Sequence, residues 1–151
     1  MKKFKFKFES LIKVRVNERD MLREHLARLL RRDAELLQVQ QQVESERLSQ
    51  LDDLRRLAGP GQVDIDSSLA RRFYAGQLVG DLGDIDRNRR QLAGQIDHGR
   101  QALIQADQGV RMLEKLAEKE AAAFHYVEER RSARELEESW QAIHAGENRA
   151  C

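Results

Sequence analysis

Between residues 71 and 140, apolar and small side chains recur in steps that alternate between three and four residues. The row is Ala75, Leu78, Leu82, Ile85, Leu92, Ile96, Gly99, Leu103, Ala106, Val110, Leu113, Ala117, Phe124 and Val127, with polar fillers only at Arg89 and Glu120. A period of 3.5 residues is the a/d repeat of a coiled coil, held here over about seven heptads. A helix of that length cannot bury its stripe against itself, so it requires a second helix. The first third of the chain supplies one. Leu11, Leu22, Leu26, Leu29, Leu36 and Val43 mark its stripe, and a slip of about four residues then brings in Leu51 and Leu54, a stutter that locally unwinds a supercoil.

Composition points the same way. Of 151 residues, 35% are charged and only 5% aromatic, so the core is expected to be a thin seam rather than a three-dimensional centre. The single proline, Pro60, stands in Ala58-Gly59-Pro60-Gly61-Gln62-Val63-Asp64-Ile65-Asp66. Proline cannot continue a helix, Gly59 suits a left-handed C-terminal cap, and Asp66 or Ser67 can cap the helix that follows. A connection this short makes the two helices antiparallel. The expectation is an all-α chain, a single elongated two-helix antiparallel coiled-coil hairpin with helix 1 at about 9–57, a turn at 58–66 and helix 2 at about 67–143. The longer second helix is expected to overhang the first, partly met by an N-terminal arm. In that arm Phe4, Phe6 and Phe8 alternate with Lys3, Lys5 and Lys7. Their period of two could mark a strand, but no other strand candidate exists to pair with it. An extended arm or a fraying helical turn is expected instead.

The net charge of +1 conceals an asymmetry. Residues 1–32 set eleven Lys/Arg, Lys2 among them, against four acids, a balance of +7. Residues 111–138 hold eight Glu and six Lys/Arg, a balance of −2. A hairpin would bring these segments together with favourable sign. Six glycines, Gly76, Gly80, Gly83, Gly94, Gly99 and Gly109, fall within the second helix, each costing about 1 kcal/mol relative to alanine. Gly99 lies on the seam. The others mark either a tolerated weak segment or a place where flexibility or close approach of a partner is needed.

Chemistry-bearing constellations are sparse. The chain has no phosphate-binding glycine loop. His25, His98, His125 and His144 lack the i,i+4 spacing of a helical metal site, and Cys151, the only cysteine, has no neighbouring ligand or disulfide partner. Adjacent acids such as Asp52-Asp53, Glu128-Glu129 and Glu137-Glu138 point in different directions around a helix and read as a solvated face. No catalytic residue, cofactor or metal is expected. No apolar run approaches the roughly 20 residues of a membrane span, and charges interrupt the N-terminus, so a cytoplasmic protein is the default. The basic arm with interleaved Phe could in principle stack bases and track phosphates, but the near balance of charge and the lack of a binding module favour no nucleic acid. Phe124 fits the seam. Phe73, Tyr74 and Trp140 fall off it and are candidates for partner contacts.

The N-terminal run Phe4-Lys5-Phe6-Lys7-Phe8-Glu9-Ser10-Leu11-Ile12-Lys13-Val14-Arg15 resembles the opening of the flagellar export protein FliJ family. Leu113-Glu114-Lys115-Leu116, Tyr126, Glu128-Glu129-Arg130-Arg131 and Arg134-Glu135-Leu136-Glu137-Glu138 resemble that family's close, with Glu137-Glu138 where the family usually has Asp-Glu. The glycine-rich middle and Gly-Pro-Gly are not part of its pattern. The resemblance implies an antiparallel coiled coil that looks like the stalk of rotary ATP synthases, within the cytoplasmic part of the type III export apparatus at the inner face of the membrane. It implies that the paired helix ends enter the hexameric export ATPase and promote its assembly, with the ATPase and its regulator, the export-gate protein FlhA and export chaperones as partners. Carried onto this chain, the implied ATPase contacts are Phe4, Phe6, Phe8, Lys13, Arg15, Arg19, Arg130, Arg131 and Arg134. The implied gate contacts are Gln41, Ser45, Phe73, Tyr74, Gln77 and Gly80. The stalk protein of virulence type III secretion is a sister possibility, and a generic coiled-coil scaffold or adaptor is the plain alternative.

Overall fold

The computed structural model describes residues 3–61 and 64–147, so Lys2, the Gln62-Val63 part of the turn and Cys151 lie outside the described residues. The protein is all-α: two long helices, α1 (Glu9–Leu57) and α2 (Ile65–Glu147), packed against each other as a helical hairpin. Residues 3–6 precede α1 without regular structure, and Phe8 accepts the first helical bond, from Ile12 N–H at 3.0 Å.

The break between the helices follows from Pro60. α1 closes with Ala58 N–H on Leu54 O (3.1 Å) and Gly59 N–H on Arg56 O (3.3 Å). Gly59 does not take the left-handed cap expected of it; the positive φ falls on Gly61, at 153°. Proline drives the residue before it towards extended backbone, so the permissive glycine is the one after it. α2 starts two residues earlier than expected, because neither Asp66 nor Ser67 is its cap. Asp64 is. Its carboxylate accepts Ser67 N–H at 3.2 Å and Ser67 Oγ–H at 2.5 Å, and its carbonyl accepts Ser68 Oγ–H at 2.9 Å. These bonds hold the Asp64 carboxyl below the usual carboxylate range, the Ser67 hydroxyl contributing most.

The chain forms two compact units, Asp20–Ile104 and Met1–Arg19 with Gln105–Cys151. In the first, Ala75, Leu78, Leu92 and Ile96 are buried, and Leu82, Ile85, Arg89, Gly99 and Leu103 complete the α2 row. Opposite them the half-buried α1 row reads Leu22, Leu26, Leu29, Asp33, Leu36, Gln40, Val43, Arg47, Gln50, Leu54 and Leu57. The slip expected after Val43 does not occur. Arg47 and Gln50 hold the period, because long polar side chains can lie along a seam with their heads in water or on a partner. Glu44 binds Arg47 at 2.7 and 2.9 Å, and Arg71 donates to Gln50 at 3.2 Å.

In the other unit Val110 is fully buried, and Ile12, Val16, Leu113, Ala117, Ala121 and Phe124 are half-buried. Two expected seam residues lie outside it: Leu11 is 40% exposed and Val127 61%. Here α2 takes two steps of four, Leu113 to Ala117 to Ala121, and seats Ala121 instead of Glu120. A methyl group costs nothing to bury where a carboxylate would need a partner. The stutter thus belongs to α2, not to α1.

Candidate partner-binding surfaces

Arginine-aspartate pairs tie α1 to α2 inside each unit. Arg71 donates to Asp53 at 2.7 Å, and Arg89 Nε to Asp33 at 2.9 Å. In the unit that holds the chain ends, Arg19 lies 3.7 Å from Asp107. Arg89 also donates to Gln40 at 2.9 Å, so one guanidinium satisfies two polar side chains of the opposite row. Its bond to Asp33 raises its pKa further above the ordinary guanidinium value. No buried side-chain polar atom lacks a partner among the described residues.

The residues implied to meet an ATPase all lie in the unit that contains both chain ends, and they divide by environment. Phe6 is buried, with Phe8 edge-on at 5.7 Å, and Phe4 packs on Phe124 with ring centroids 5.6 Å apart. The Phe4–Phe124 contact ties the arm to α2. Lys13 and Arg15 are exposed and pair with neighbouring turns of α1, with Glu9 at 3.3 Å and Glu18 at 3.0 Å. Arg130 sits over the Tyr126 ring at 5.7 Å, Arg131 pairs with Glu135 at 2.8 Å, and Arg134 is exposed.

Every residue whose exposure is described after Glu128, from 129 to 145, is exposed. Leu136, Trp140 and Ile143, spaced four and three apart, form an apolar ridge in which each residue is more than 60% exposed. The Trp140 ring stacks on His144 at 4.1 Å, and His144 Nδ1 lies 3.1 Å from Trp140 O. Sequence reasoning singled out Trp140 but not the ridge, although its helical spacing could have revealed it.

The residues implied to meet the export gate lie in the unit Asp20–Ile104. Gln41 and Ser45 line a groove of about 550 Å³ with Leu37, Gln40, Glu44, Leu48 and Leu82. Phe73 is 70% exposed and Tyr74 41%, and Gln77 and Gly80 are exposed. Phe73 and Gly80 share a helical face. Tyr74, one residue on from Phe73, is rotated by about 100° around the helix and serves a different side.

No helix among the described residues is long and apolar enough to cross a membrane, and no group of three or more His, Cys, Asp or Glu among them could hold a metal ion. The fold and these surfaces define a class, the coiled-coil hairpin. Beyond that class, no family model, no curated protein and no solved structure matches the chain.

Proposed function

We propose that this chain is a non-enzymatic stalk of the flagellar type III export apparatus. It engages and stimulates the hexameric export ATPase, contacts the export gate FlhA and escorts export chaperones, working in the cytoplasm at the inner face of the membrane. The observation that carries the reading is the N-terminal run from Phe4 to Arg15, which resembles the opening of the FliJ family. Its physical logic is a division of labour. Phe4 fastens the arm to α2 through Phe124, while Lys13 and Arg15 remain in water, where they can meet acidic loops of a ring.

The test is ATP hydrolysis by the purified export ATPase with and without this protein. Stimulation is expected, and it is expected to fall at least several-fold for Lys13→Glu combined with Arg15→Glu. Circular dichroism should stay unchanged, because both side chains are exposed. Charge reversal at Arg19 is expected to act partly through the fold, given its contact with Asp107. Failure of the unaltered protein to bind or stimulate the ATPase leaves a general coiled-coil scaffold as the reading. Stimulation unaffected by the double reversal removes the basic arm as the contact.

A further inference from the structure

The unit Asp20–Ile104 has one side whose α1 part is sparsely charged. On α1 it carries Leu37, Gln41, Glu44, Ser45 and Leu48, which line one groove with Leu82 of α2. These residues flank the seam on a single side. The antiparallel register set by Arg71 on Gln50 and Arg89 on Gln40 places Leu48 level with the turn of α2 around Gln77. In an antiparallel pair, positions that follow the seam on one helix lie beside those that follow it on the other. On α2 these are Arg72, Val79 and Asp86, after Arg71, Leu78 and Ile85, and their face neighbours Ile65, Leu69, Phe73, Gly76, Gly80 and Gly83.

We infer that this side is a self-association surface, covered by the same side of a second copy of the chain in an isologous antiparallel dimer. The first argument is area. Leu37 (39%), Leu48 (51%), Val79 (55%), Leu69 (59%), Ile65 (68%) and Phe73 (70%) leave roughly 700 Å² of apolar residue in water. That exceeds the few hundred Å² a monomer usually shows and matches the roughly 800 Å² per partner of a stable pairwise interface. The second is shape. A two-fold interface must be complementary to itself, so ridges and flats must lie side by side on one surface. Leu37 and Leu48 supply the ridge. Gly76 and Gly80 supply the flat, since a Cβ built on either meets nothing within 4 Å. The third is charge. In a chain with 35% charged residues, Glu44 is already paired with Arg47 at 2.7 Å, so closing the groove strands no carboxylate there.

The inference does not rest on the export reading. Sedimentation equilibrium of the full chain, with Cys151→Ser excluding disulfide pairing, tests it. A monomer-dimer equilibrium is expected, with Leu48→Glu combined with Phe73→Glu weakening association more than about 30-fold. Because both side chains are half or more exposed, the variant is expected to keep its helicity and melting midpoint at low concentration. A second variant, Gly80→Cys in the Cys151→Ser background, is expected to cross-link between copies on mild oxidation. A chain that stays monomeric at 0.1 mM and above (about the concentration where contacts of this size register) overturns the inference. So does a dimer insensitive to the double substitution, which would place the interface elsewhere.

Discussion

Arg89 on α2 reaches across the seam to Asp33 on α1, with Nε 2.9 Å from Oδ1, and on the same side chain Nη1 holds Gln40 at 2.9 Å. The two acceptors are seven residues apart, one heptad, so a single guanidinium measures off one repeat of the opposite helix. Apolar layers alone tolerate a slide by a heptad; this layer does not, because sliding would leave Asp33 and Arg89 without each other. Asp33→Ala is expected to lower the melting midpoint by roughly 2–4 °C. Arg89→Leu with Asp33→Leu is expected to recover much of that while relaxing the register. Spin labels placed on α1 and α2 of the unit Asp20–Ile104 would then report more than one separation where the unaltered protein gives one.

Glycines away from the seam give a gain on substitution. A Cβ at Gly94 or Gly109 meets nothing within 4 Å, and neither residue has positive φ. Gly94→Ala and Gly109→Ala are each expected to stabilise by about 1 kcal/mol, additively in a urea titration. Gly99→Ala is expected to change less, since its Cβ would touch Leu26 at 3.5 Å and Leu29 at 3.9 Å, ordinary packing distances.

Val110 is the one fully enclosed side chain described. Val110→Ala is expected to cost about 2 kcal/mol in chemical denaturation. Val127→Ala removes the same atoms from a side chain 61% exposed and is expected to change stability little.

The cap on α2 titrates. The pKa of Asp64 is lowered in the folded chain, chiefly by the Ser67 hydroxyl and then by Ser67 N–H. A depressed carboxyl contributes stability that is present above its unfolded value and is lost as pH falls through the lower folded value. Between about pH 5 and pH 2, the melting midpoint of the unaltered protein is expected to fall more than that of Asp64→Asn. The asparagine keeps the cap acceptor but cannot ionise. Equal slopes for the two proteins would remove Asp64 from this account.

The sequence made much of the hairpin legible. The alternating row from Ala75 to Ala117 required a long helix and a partner, and Gly59-Pro60-Gly61 marked the break two residues after the observed end of α1. The misses cluster where two phases were both compatible with the residues. Counting seven residues from Ala117 to Phe124 permits either Glu120 or Ala121 between them, and the chain seats the alanine. On α1, Leu11 and Ile12 compete, and Ile12 with Val16 takes the seam. Polar residues hid the continuity at Arg47 and Gln50, because a pattern read only from apolar positions counts them as a gap.

By itself, the order of amino acids determined that this chain is helical, where it turns back, and which face of α2 is buried over most of its length. Periodicity, proline and capping act within a few residues of one another, and short-range interactions are written in sequence. Tertiary structure alone decided that Asp33 and Gln40 belong to Arg89, that Phe4 lies on Phe124, and that Leu37 and Leu48 share a groove with Leu82. Those facts depend on the register between two helices, and register is set by which side chains meet across the seam, a property that neither helix carries alone.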